Sequence, residues 1–314
     1  MKRSLGNPTS ATMLAALASL FILSAPLAAQ QQQELRSLPM LVDAEWLSER
    51  LEAPDLVVIQ VDQRRDGYDA GHIPGANFVP YSDIAVDIDG LPVELPSVEA
   101  LVAAFARAGV RNNARVVVYG EPLSAARAWM TLDYLGIGRN VGMLDGGIGA
   151  WRAAGLPLST GPGEGMSGAL SISPEPHRIV DADWVMGQVG EPYTAMIDAR
   201  PLNEYTGEDG GRNGTYTPGH IPGARHLYWE ELIHSREDPR LLPEEELRAK
   251  FESAGAVDDK IVVVYCYIGM RASMAYFVSR MLGYETHLYD GSWQDWSNRE
   301  LPVETGLDPL ATGG

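Results

Sequence analysis

The chain alternates short, continuous runs of apolar residues with stretches whose apolar residues recur at helical spacing. Residues 56–61 and 116–119 are two of the continuous runs, which are typical of strands buried on both faces of a sheet. Ser97 precedes a helical pattern that continues through Phe105 and is expected to end near Gly109. The pattern therefore predicts strands and helices in alternation.

A further helix is predicted just before Gly283, which would end it. Its apolar residues follow i, i+3, i+4 spacing and are Met274, Phe277, Val278, Met281 and Leu282. Strands that alternate with helices predict an α/β fold, in which a mostly parallel sheet is flanked by helices. Ligands of such sheets bind beyond the carboxyl ends of the strands.

The whole order of elements occurs twice, which indicates a duplicated domain. The hexapeptide Gly-His-Ile-Pro-Gly-Ala stands at residues 71–76 and again at residues 219–224. The other repeated pairs are residues 41–47 and 179–185, Asp62-Gln-Arg64 and Asp198-Ala-Arg200, residues 116–120 and 262–266, and Leu144-Asp-Gly146 and Tyr289-Asp-Gly291, followed by Trp151 and Trp296. These matches predict domain 1 at residues 38–157 and domain 2 at residues 177–305. The Gly/Pro-rich residues 158–176 are the predicted linker.

Length and charge limit the classes of function. A chain of 314 residues is long enough for two domains. The formal net charge of -18 argues against nucleic acid or an anionic membrane surface as the main partner. Since an acidic surface also repels small anions, a site that binds an anion must supply its own positive charge.

Residues 1–29 have the pattern of a secretory signal peptide. Lys2 and Arg3 precede an apolar stretch that ends in small residues, and a polar run of glutamines follows. The alternative is an uncleaved membrane anchor, but the stretch is short and interrupted by Ser24, whereas a spanning helix needs about 20 apolar residues. The sequence therefore predicts a periplasmic or secreted protein without stable membrane insertion after cleavage.

Cys266 is the only cysteine of the chain, so no disulfide can form within it. It follows the apolar residues 261–265 and precedes the predicted helix, which places its sulfur at a strand end and near the positive end of a helix dipole. Backbone N–H groups in such a turn favour a thiolate and a bound anion. A lone buried cysteine is also a common packing residue. The turn position and the nearby Arg271 favour a reactive role.

These motifs, in the same order in each half, resemble the tandem-domain rhodaneses, which are thiosulfate and 3-mercaptopyruvate sulfurtransferases. The resemblance covers residues 38–303 and, with the signal peptide, points to an exported bacterial form. It implies two tandem rhodanese-like domains, of which the first is structural and the second is catalytic. Gly120 stands where the second half has Cys266, in agreement with this expectation.

The resemblance also implies the chemistry. The Cys266 thiolate takes a sulfur atom from a small anionic donor and holds it as a persulfide until a small thiophilic acceptor, cyanide or a thiol, removes it. This reaction needs no cofactor. The active-site loop after the cysteine consists of Tyr267, Ile268, Gly269 and Met270. Its backbone N–H groups are expected to surround the anion, and Gly269 permits the tight turn.

Three charged residues are candidates for the site. Arg271 is expected to bind the donor anion or stabilise the thiolate, and a loop-closing salt bridge is the alternative role. Arg200 follows Asp198 at a predicted strand end and, by resemblance, contacts the anionic group of the donor. Its counterpart Arg64 warns that this motif is partly structural. Asp62 is predicted to reach the site from domain 1 as an interdomain contact.

The histidines and tryptophans have simpler interpretations. His72 and His220 are expected to be structural, because they occupy the same motif in two halves of which only one has a cysteine. The other histidines lack metal-ligand spacing, so no metal is predicted. Trp293 and Trp296 are candidates for a pocket wall, but the equivalent Trp151 in the cysteine-free half favours core packing for Trp296.

The loop sequence favours thiosulfate over 3-mercaptopyruvate as the donor. In 3-mercaptopyruvate sulfurtransferases the loop carries a serine where this chain has Ile268, and a second arginine aligns with Thr206. The pattern Cys-x-Ile-Gly-x-Arg-x-Ser is more similar to bacterial thiosulfate sulfurtransferases. A 3-mercaptopyruvate sulfurtransferase is the first alternative.

Two other classes of function are alternatives to this interpretation. Cysteine phosphatases of the same superfamily have a wider loop than the four residues between Cys266 and Arg271, which disfavours a phosphatase. The second class is a non-catalytic periplasmic persulfide carrier or binding module.

The glycine-rich insertion at residues 207–218, which occurs in domain 2 alone, is either a lid or a neutral surface loop.

Overall fold

The computed structural model describes residues 38–161, 163, 168–209, 217–257 and 259–307. The predicted signal peptide and most of the insertion at residues 207–218 lie outside these residues. Within the described ranges, no helix is both long enough and apolar enough to cross a membrane.

Each half of the chain consists of strands and helices in alternation. The strands of the first half are β1 (Leu41–Val42), β2 (Leu56–Asp62), β3 (Asn77–Pro80), β4 (Val86–Ile88), β5 (Leu91–Glu94), β6 (Arg115–Gly120) and β7 (Val141–Leu144). Its α-helices are α1 (Ala44–Ser48), α2 (Asp66–Ala70), α3 (Val98–Arg107), α4 (Pro122–Tyr134) and α5 (Gly147–Ala153). The strands of the second half are β8 (Ile179–Val180), β9 (Thr194–Asp198), β10 (Arg225–His226), β11 (Ile261–Tyr265) and β12 (Glu285–Tyr289). Its α-helices are α6 (Ala182–Gln188), α7 (Leu202–Thr206), α8 (Glu244–Ser253), α9 (Ala272–Met281) and α10 (Ser292–Asn298). Short 3-10 helices lie at Tyr81–Asp83, Gly138–Asn140, Pro176–Arg178 and Trp229–Leu232.

Each half forms one five-stranded sheet, and its neighbouring strands are parallel. The strand orders are β1-β7-β6-β2-β3 and β10-β9-β11-β12-β8. Read from opposite edges, the two orders place corresponding strands at corresponding positions. The predicted α/β fold with parallel sheets is therefore confirmed. The first half adds an antiparallel hairpin of β4 and β5.

Local hydrogen bonds explain why the repeated segments recur. Asp43 and Asp181 stand at equivalent positions, and each caps the helix that follows it. Asp43 accepts a hydrogen bond from the Trp46 N–H at 2.7 Å, and Asp181 accepts one from the Trp184 N–H at 2.8 Å. The helix predicted after Ser97 is α3, and the Ser97 hydroxyl accepts from its first turn. These caps set where the helices begin.

The repeated hexapeptide is a structural unit in both halves. The rings of His72 and His220 stack on Tyr68 and Tyr205, with centroids 3.7 and 3.8 Å apart. Each histidine Nδ1 also lies 2.8 Å from the backbone carbonyl oxygen of its tyrosine. Burial lowers the pKa of His220 below its usual value, which favours the neutral ring. This duplicated arrangement supports the prediction that both histidines are structural.

The two halves pack through the helices that follow their strand-end loops, α4 and α9. Trp129 contacts Phe277 with ring centroids 5.0 Å apart, and the Tyr276 hydroxyl donates to Asp133 at 2.7 Å. Buried apolar side chains from both halves form one continuous core. This packing brings Ser124, near the start of α4, to a common cavity with the Cys266 loop.

Candidate active site

Cys266 lies directly after β11, the central strand of its sheet. The side chain is fully buried, and its N–H donates to the Ser292 hydroxyl at 3.2 Å. Ser292 has a φ of 53°, a left-handed conformation that is unusual for a residue with a side chain. Its hydroxyl also donates to the Tyr289 carbonyl oxygen at 2.8 Å. Ser292, which sequence reasoning missed, therefore ties the nucleophile to the end of β12.

The active-site loop turns at Gly269, whose φ is 78°. A Cβ atom at this position would lie 2.7 Å from Oδ1 of Asp290, so a larger residue would not fit without movement. In the described part of the chain, the N–H groups of Ile268 and Met270 donate to no protein acceptor. These donors are thus available to an anion, and anion binding by the loop stays a prediction.

Arg271 follows the loop and forms a bidentate ion pair with Glu204 of α7, with N···O distances of 3.0 and 3.2 Å. Desolvation lowers the pKa of Arg271, but the charges of Cys266 and Glu204 outweigh this effect and raise the pKa above its usual value. The guanidinium is therefore held by Glu204 at the end of the loop that follows Cys266. Both of the predicted roles, anion binding and loop closure, are compatible with this position.

Arg200 lies at the carboxyl end of β9, next to the end of β11, because Asp198 is in register with Tyr265. It is buried and held by Asp198, with a closest N···O distance of 2.6 Å, and it donates to the Gly219 carbonyl oxygen at 2.7 Å. Its guanidinium also lies 4.6 Å from the ring centre of Trp293. Arg200 thus joins the strand end to the second hexapeptide, and its contact with a donor stays a prediction.

The two tryptophans after the second Asp-Gly motif are both fully buried. Trp296 donates to the Pro302 carbonyl oxygen at 2.8 Å, and the equivalent Trp151 donates to Pro157 at the same distance. This shared contact supports core packing for Trp296. Trp293 instead donates to the Thr217 carbonyl oxygen at 3.0 Å and lies beneath Arg200.

The backbone around Gly120, the position equivalent to Cys266, leaves no room for a side chain. The φ of Gly120 is 154°, and a Cβ atom there would lie 2.1 Å from the backbone oxygen of Val61. Asp62 closes this turn by accepting hydrogen bonds from the Glu121 N–H at 2.7 Å and from Gln60 at 2.6 Å. A side chain at position 120 would therefore displace the strand end that positions Asp62.

An ion pair from the first half supports the Cys266 loop. Arg127 of α4 is fully buried and contacts Asp290 with N···O distances of 2.5 and 3.0 Å. It also donates to the Val93 carbonyl oxygen, while Asp290 accepts from the Leu95 N–H at 3.1 Å. The Gly269 backbone packs against this pair. The repeated Asp-Gly motif signalled the aspartate, but no local pattern marked the arginine.

Several buried polar atoms in the described residues lack a hydrogen-bond partner, and all of them belong to the first half. They are Oε1 of Gln60, the hydroxyl of Tyr81, Oε1 of Glu94, the hydroxyl of Ser124 and Nε of Arg127. Burial and the charges of Asp290 and Asp295 raise the pKa of Glu94 to about 8, although the charge of Arg127 acts in the opposite direction. Buried polar groups without hydrogen-bond partners are unfavourable. Their occurrence in the first half distinguishes that half from the second half of the described residues.

A cavity of about 380 Å³ lies between domain 1 and the Cys266 loop, and we call it the interdomain cavity. Its lining residues are Asp62, Gln63, Arg64, Asp66, Gly67, Glu121, Ser124 and Met270. Of the predicted site residues in the described ranges, Asp62 and Met270 line it, whereas Cys266, Arg200 and Arg271 do not. Asp62 thus shares a cavity with the active-site loop, and its role as an interdomain contact to the site stays a prediction. Among the described residues, no cluster of His, Cys, Asp and Glu could hold a metal ion.

Comparisons with known proteins are consistent with this geometry. The family model of the rhodanese-like domain matches residues 43–154 and 181–299. The chain is 34% identical over 283 residues to the sulfur carrier protein TtuD of Thermus thermophilus, covering 85% of this chain and 97% of that protein. It is 31% identical over 275 residues to the thiosulfate sulfurtransferase of Azotobacter vinelandii, covering 86% and 99%. The solved structure of SseA from Escherichia coli, a 3-mercaptopyruvate sulfotransferase, matches with 30% identity and a TM-score of 0.71, covering 82% and 99%.

Proposed function

The chain belongs to the rhodanese family of sulfurtransferases, and we propose that it moves sulfane sulfur from thiosulfate to a thiophilic acceptor through a persulfide on Cys266. The observation that carries this proposal is the position of Cys266. It directly follows the central strand of a parallel sheet and precedes a loop in which, among the described residues, the N–H groups of Ile268 and Met270 donate to no protein acceptor, with Arg271 at the end of that loop. Such a site favours a thiolate and a small anion.

The reaction has two balanced steps. In the first step, the Cys266 thiolate attacks the outer sulfur of thiosulfate, a bond forms between the two sulfur atoms, and sulfite leaves with the electron pair of the broken bond. In the second step, an acceptor nucleophile attacks the outer sulfur of the persulfide. The bond to Cys266 then breaks, and its electron pair restores the thiolate.

Residues around the loop favour thiosulfate over 3-mercaptopyruvate. The apolar Ile268 stands where a serine would serve the second donor, and Thr206 stands where a second arginine would bind its carboxylate. Thr206 is nearly buried, and its hydroxyl donates to the Asn203 carbonyl oxygen at 3.4 Å within α7.

The test is the intact mass of the purified protein after separate incubation with thiosulfate and with 3-mercaptopyruvate. We expect a gain of one sulfur, about 32 Da, with thiosulfate, and none in a Cys266→Ser variant that melts like the wild type. A gain with 3-mercaptopyruvate alone would contradict the proposed donor. Transfer activity above a few per cent in Cys266→Ser would contradict the persulfide mechanism.

A persulfide carrier is the second candidate, and the relative named as a sulfur carrier protein favours it. A carrier forms the same persulfide but passes the sulfur to a protein partner rather than to small acceptors. Steady-state turnover with cyanide and small thiols separates the two functions. Fast turnover supports the enzyme, whereas a stable persulfide that small acceptors discharge slowly supports the carrier.

We further propose that the protein is exported, on the basis of the signal-peptide pattern at residues 1–29. Fractionation of cells that express the full chain, followed by N-terminal sequencing of the mature form, tests this. Recovery of the uncut chain in the cytoplasm would contradict export.

A further inference from the structure

The interdomain cavity carries negative charge. Its lining includes the carboxylates of Asp62, Asp66 and Glu121 and the guanidinium of Arg64. Arg64 lies 3.9 Å from Asp66 at the surface, so its charge is shared with that carboxylate. The uncompensated charge is negative, and a positively charged group inside the cavity would be stabilised.

An independent feature of the same cavity is the hydroxyl of Ser124. Ser124 lines the cavity and is fully buried. In the described part of the chain, its Oγ has no hydrogen-bond partner. Because a buried hydroxyl without a partner is unfavourable, this position suits a ligand that brings an N–H donor.

The charge of Glu121 also suits a cationic ligand. Burial and the charge of Asp62 raise the pKa of Glu121, although the backbone N–H groups of Ser124 and Leu123 and the charge of Arg236 act in the opposite direction. A cation between the two carboxylates would relieve their repulsion.

The interdomain cavity adjoins the loop that bears the sulfur. Met270 belongs to that loop and forms part of the cavity wall. A ligand in the cavity therefore lies against the loop that follows Cys266.

We infer that the interdomain cavity binds the ammonium group of a cationic sulfur acceptor, an aminothiol, with Asp62, Glu121 and Ser124 as its ligands. The inference rests on the proposed function and specifies the class of acceptor for its second step. The cysteine-free domain thereby selects the acceptor, while the loop of domain 2 handles the donor.

In this step, the thiolate of the acceptor attacks the outer sulfur of the Cys266 persulfide. A bond forms between these two sulfur atoms, the bond to Cys266 breaks, and its electron pair restores the Cys266 thiolate. The acceptor leaves as a persulfide with its ammonium group unchanged. No oxidant or reductant is needed.

The experiment follows the discharge of protein loaded beforehand with thiosulfate. The acceptors are cysteamine, 2-mercaptoethanol and 3-mercaptopropionate, which are a cationic, a neutral and an anionic small thiol. Rates are followed by rapid quench and intact mass and are divided by the thiolate fraction of each thiol. We expect cysteamine to exceed 3-mercaptopropionate by at least about fivefold, since several partly exposed charges act on each acceptor.

Two variants test whether residues of the interdomain cavity cause the preference for cysteamine. We expect Glu121→Gln and Ser124→Ala each to reduce the ratio of the cysteamine rate to the 2-mercaptoethanol rate by about threefold. Glu252→Gln removes the same charge from the exposed face of α8 and serves as the control, in which the ratio should not change. Because discharge is measured only on the loaded fraction, effects on loading do not enter the ratio.

Each outcome decides between the proposals. Equal rates for the three thiols in the wild type would overturn the inference and leave the sulfurtransferase proposal intact. A preference for cysteamine that Glu121→Gln and Ser124→Ala retain would place the selective site elsewhere and also overturn it. A protein that never loads with sulfur would overturn the proposed donor reaction, and this inference with it.

Discussion

Replacement of Arg127 by methionine is expected to destabilise the whole molecule, although the residue belongs to the domain without the cysteine. Arg127 and Asp290 are 0% and 4% exposed, and they join the two halves through two short N···O contacts. Methionine fills a similar volume but leaves the Asp290 carboxylate in the core without its cation. An uncompensated buried charge is the costly part of such a change.

The magnitude follows from this geometry. Removal of one partner from a buried ion pair costs about 3–5 kcal/mol, a large share of the total stability of a typical domain. For a protein of this size, such a loss lowers the melting temperature by about 10 °C. Replacement of both partners is milder, because Arg127→Met with Asp290→Asn leaves no buried charge and keeps an acceptor for the Leu95 N–H.

The assay is thermal and urea unfolding of the wild type, both single variants and the double variant, analysed as a double-mutant cycle. Arg107→Met is the control, because Arg107 contacts Asp83 at 2.8 Å but is 62% exposed, and its loss should cost less than about 1 kcal/mol. We expect a coupling energy of at least about 2 kcal/mol between Arg127 and Asp290. Losses that add independently, or an Arg127→Met variant as stable as Arg107→Met, would refute this reasoning.

Three further predictions concern the loop and its surroundings. Arg271→Ala should raise the KM for thiosulfate about tenfold, since one charge-assisted hydrogen bond is lost, and should affect acceptor use less, whereas Glu204→Gln should lower the KM for thiosulfate. Equal damage from both variants in steady-state kinetics would instead indicate a loop-closing salt bridge. Gly269→Ala should lose about 1–3 kcal/mol of stability in urea unfolding and most of the activity, because the φ of Gly269 is 78° and the new Cβ would meet Asp290. Gly283→Ala is the control, since Gly283 has a φ of 92° and no atom within 4 Å of the new Cβ, so that only backbone strain is expected and similar losses in both variants would contradict a steric role for Asp290. The pKa of Glu94 is raised from 4.5 to about 8 in the folded state, so the folded state binds more protons than the unfolded state between these pH values, and the stability of the wild type should fall relative to Glu94→Gln as pH rises from 4.5 to about 8. Melting temperatures of the two proteins that change in parallel over this pH range would exclude the effect.

Local signals in the sequence were sufficient to predict the fold and the position of Cys266 after a strand. Helix caps such as Asp43 and Asp181 act within one helical turn, and buried strands appear as continuous apolar runs, so the repeat and the alternation of elements could be recognised directly. The position of Cys266 at a strand end is likewise a property of consecutive residues. Parallel pairing then places that strand end at the ligand-binding edge of the sheet.

The surroundings of the sulfur depend on packing between the halves. Arg127 and Asp290 are 163 positions apart, and nothing near either residue in the sequence indicates that they meet. Asp145 occupies the same repeat position as Asp290, yet it accepts from the Leu241 N–H at 2.9 Å rather than from an arginine. Equivalent residues thus acquire different partners across the domain boundary.

The sequence by itself determined a duplicated α/β chain with one cysteine at the end of a strand, because repeats, caps and strand periodicity are encoded by neighbouring residues. The tertiary structure alone decided that α4 of the cysteine-free half supports the active-site loop with a buried charge and walls an acidic cavity beside it. The physical reason is that α4 and α9 bury their apolar faces against each other, and this contact brings Ser124 and Arg127 to residues distant in the chain.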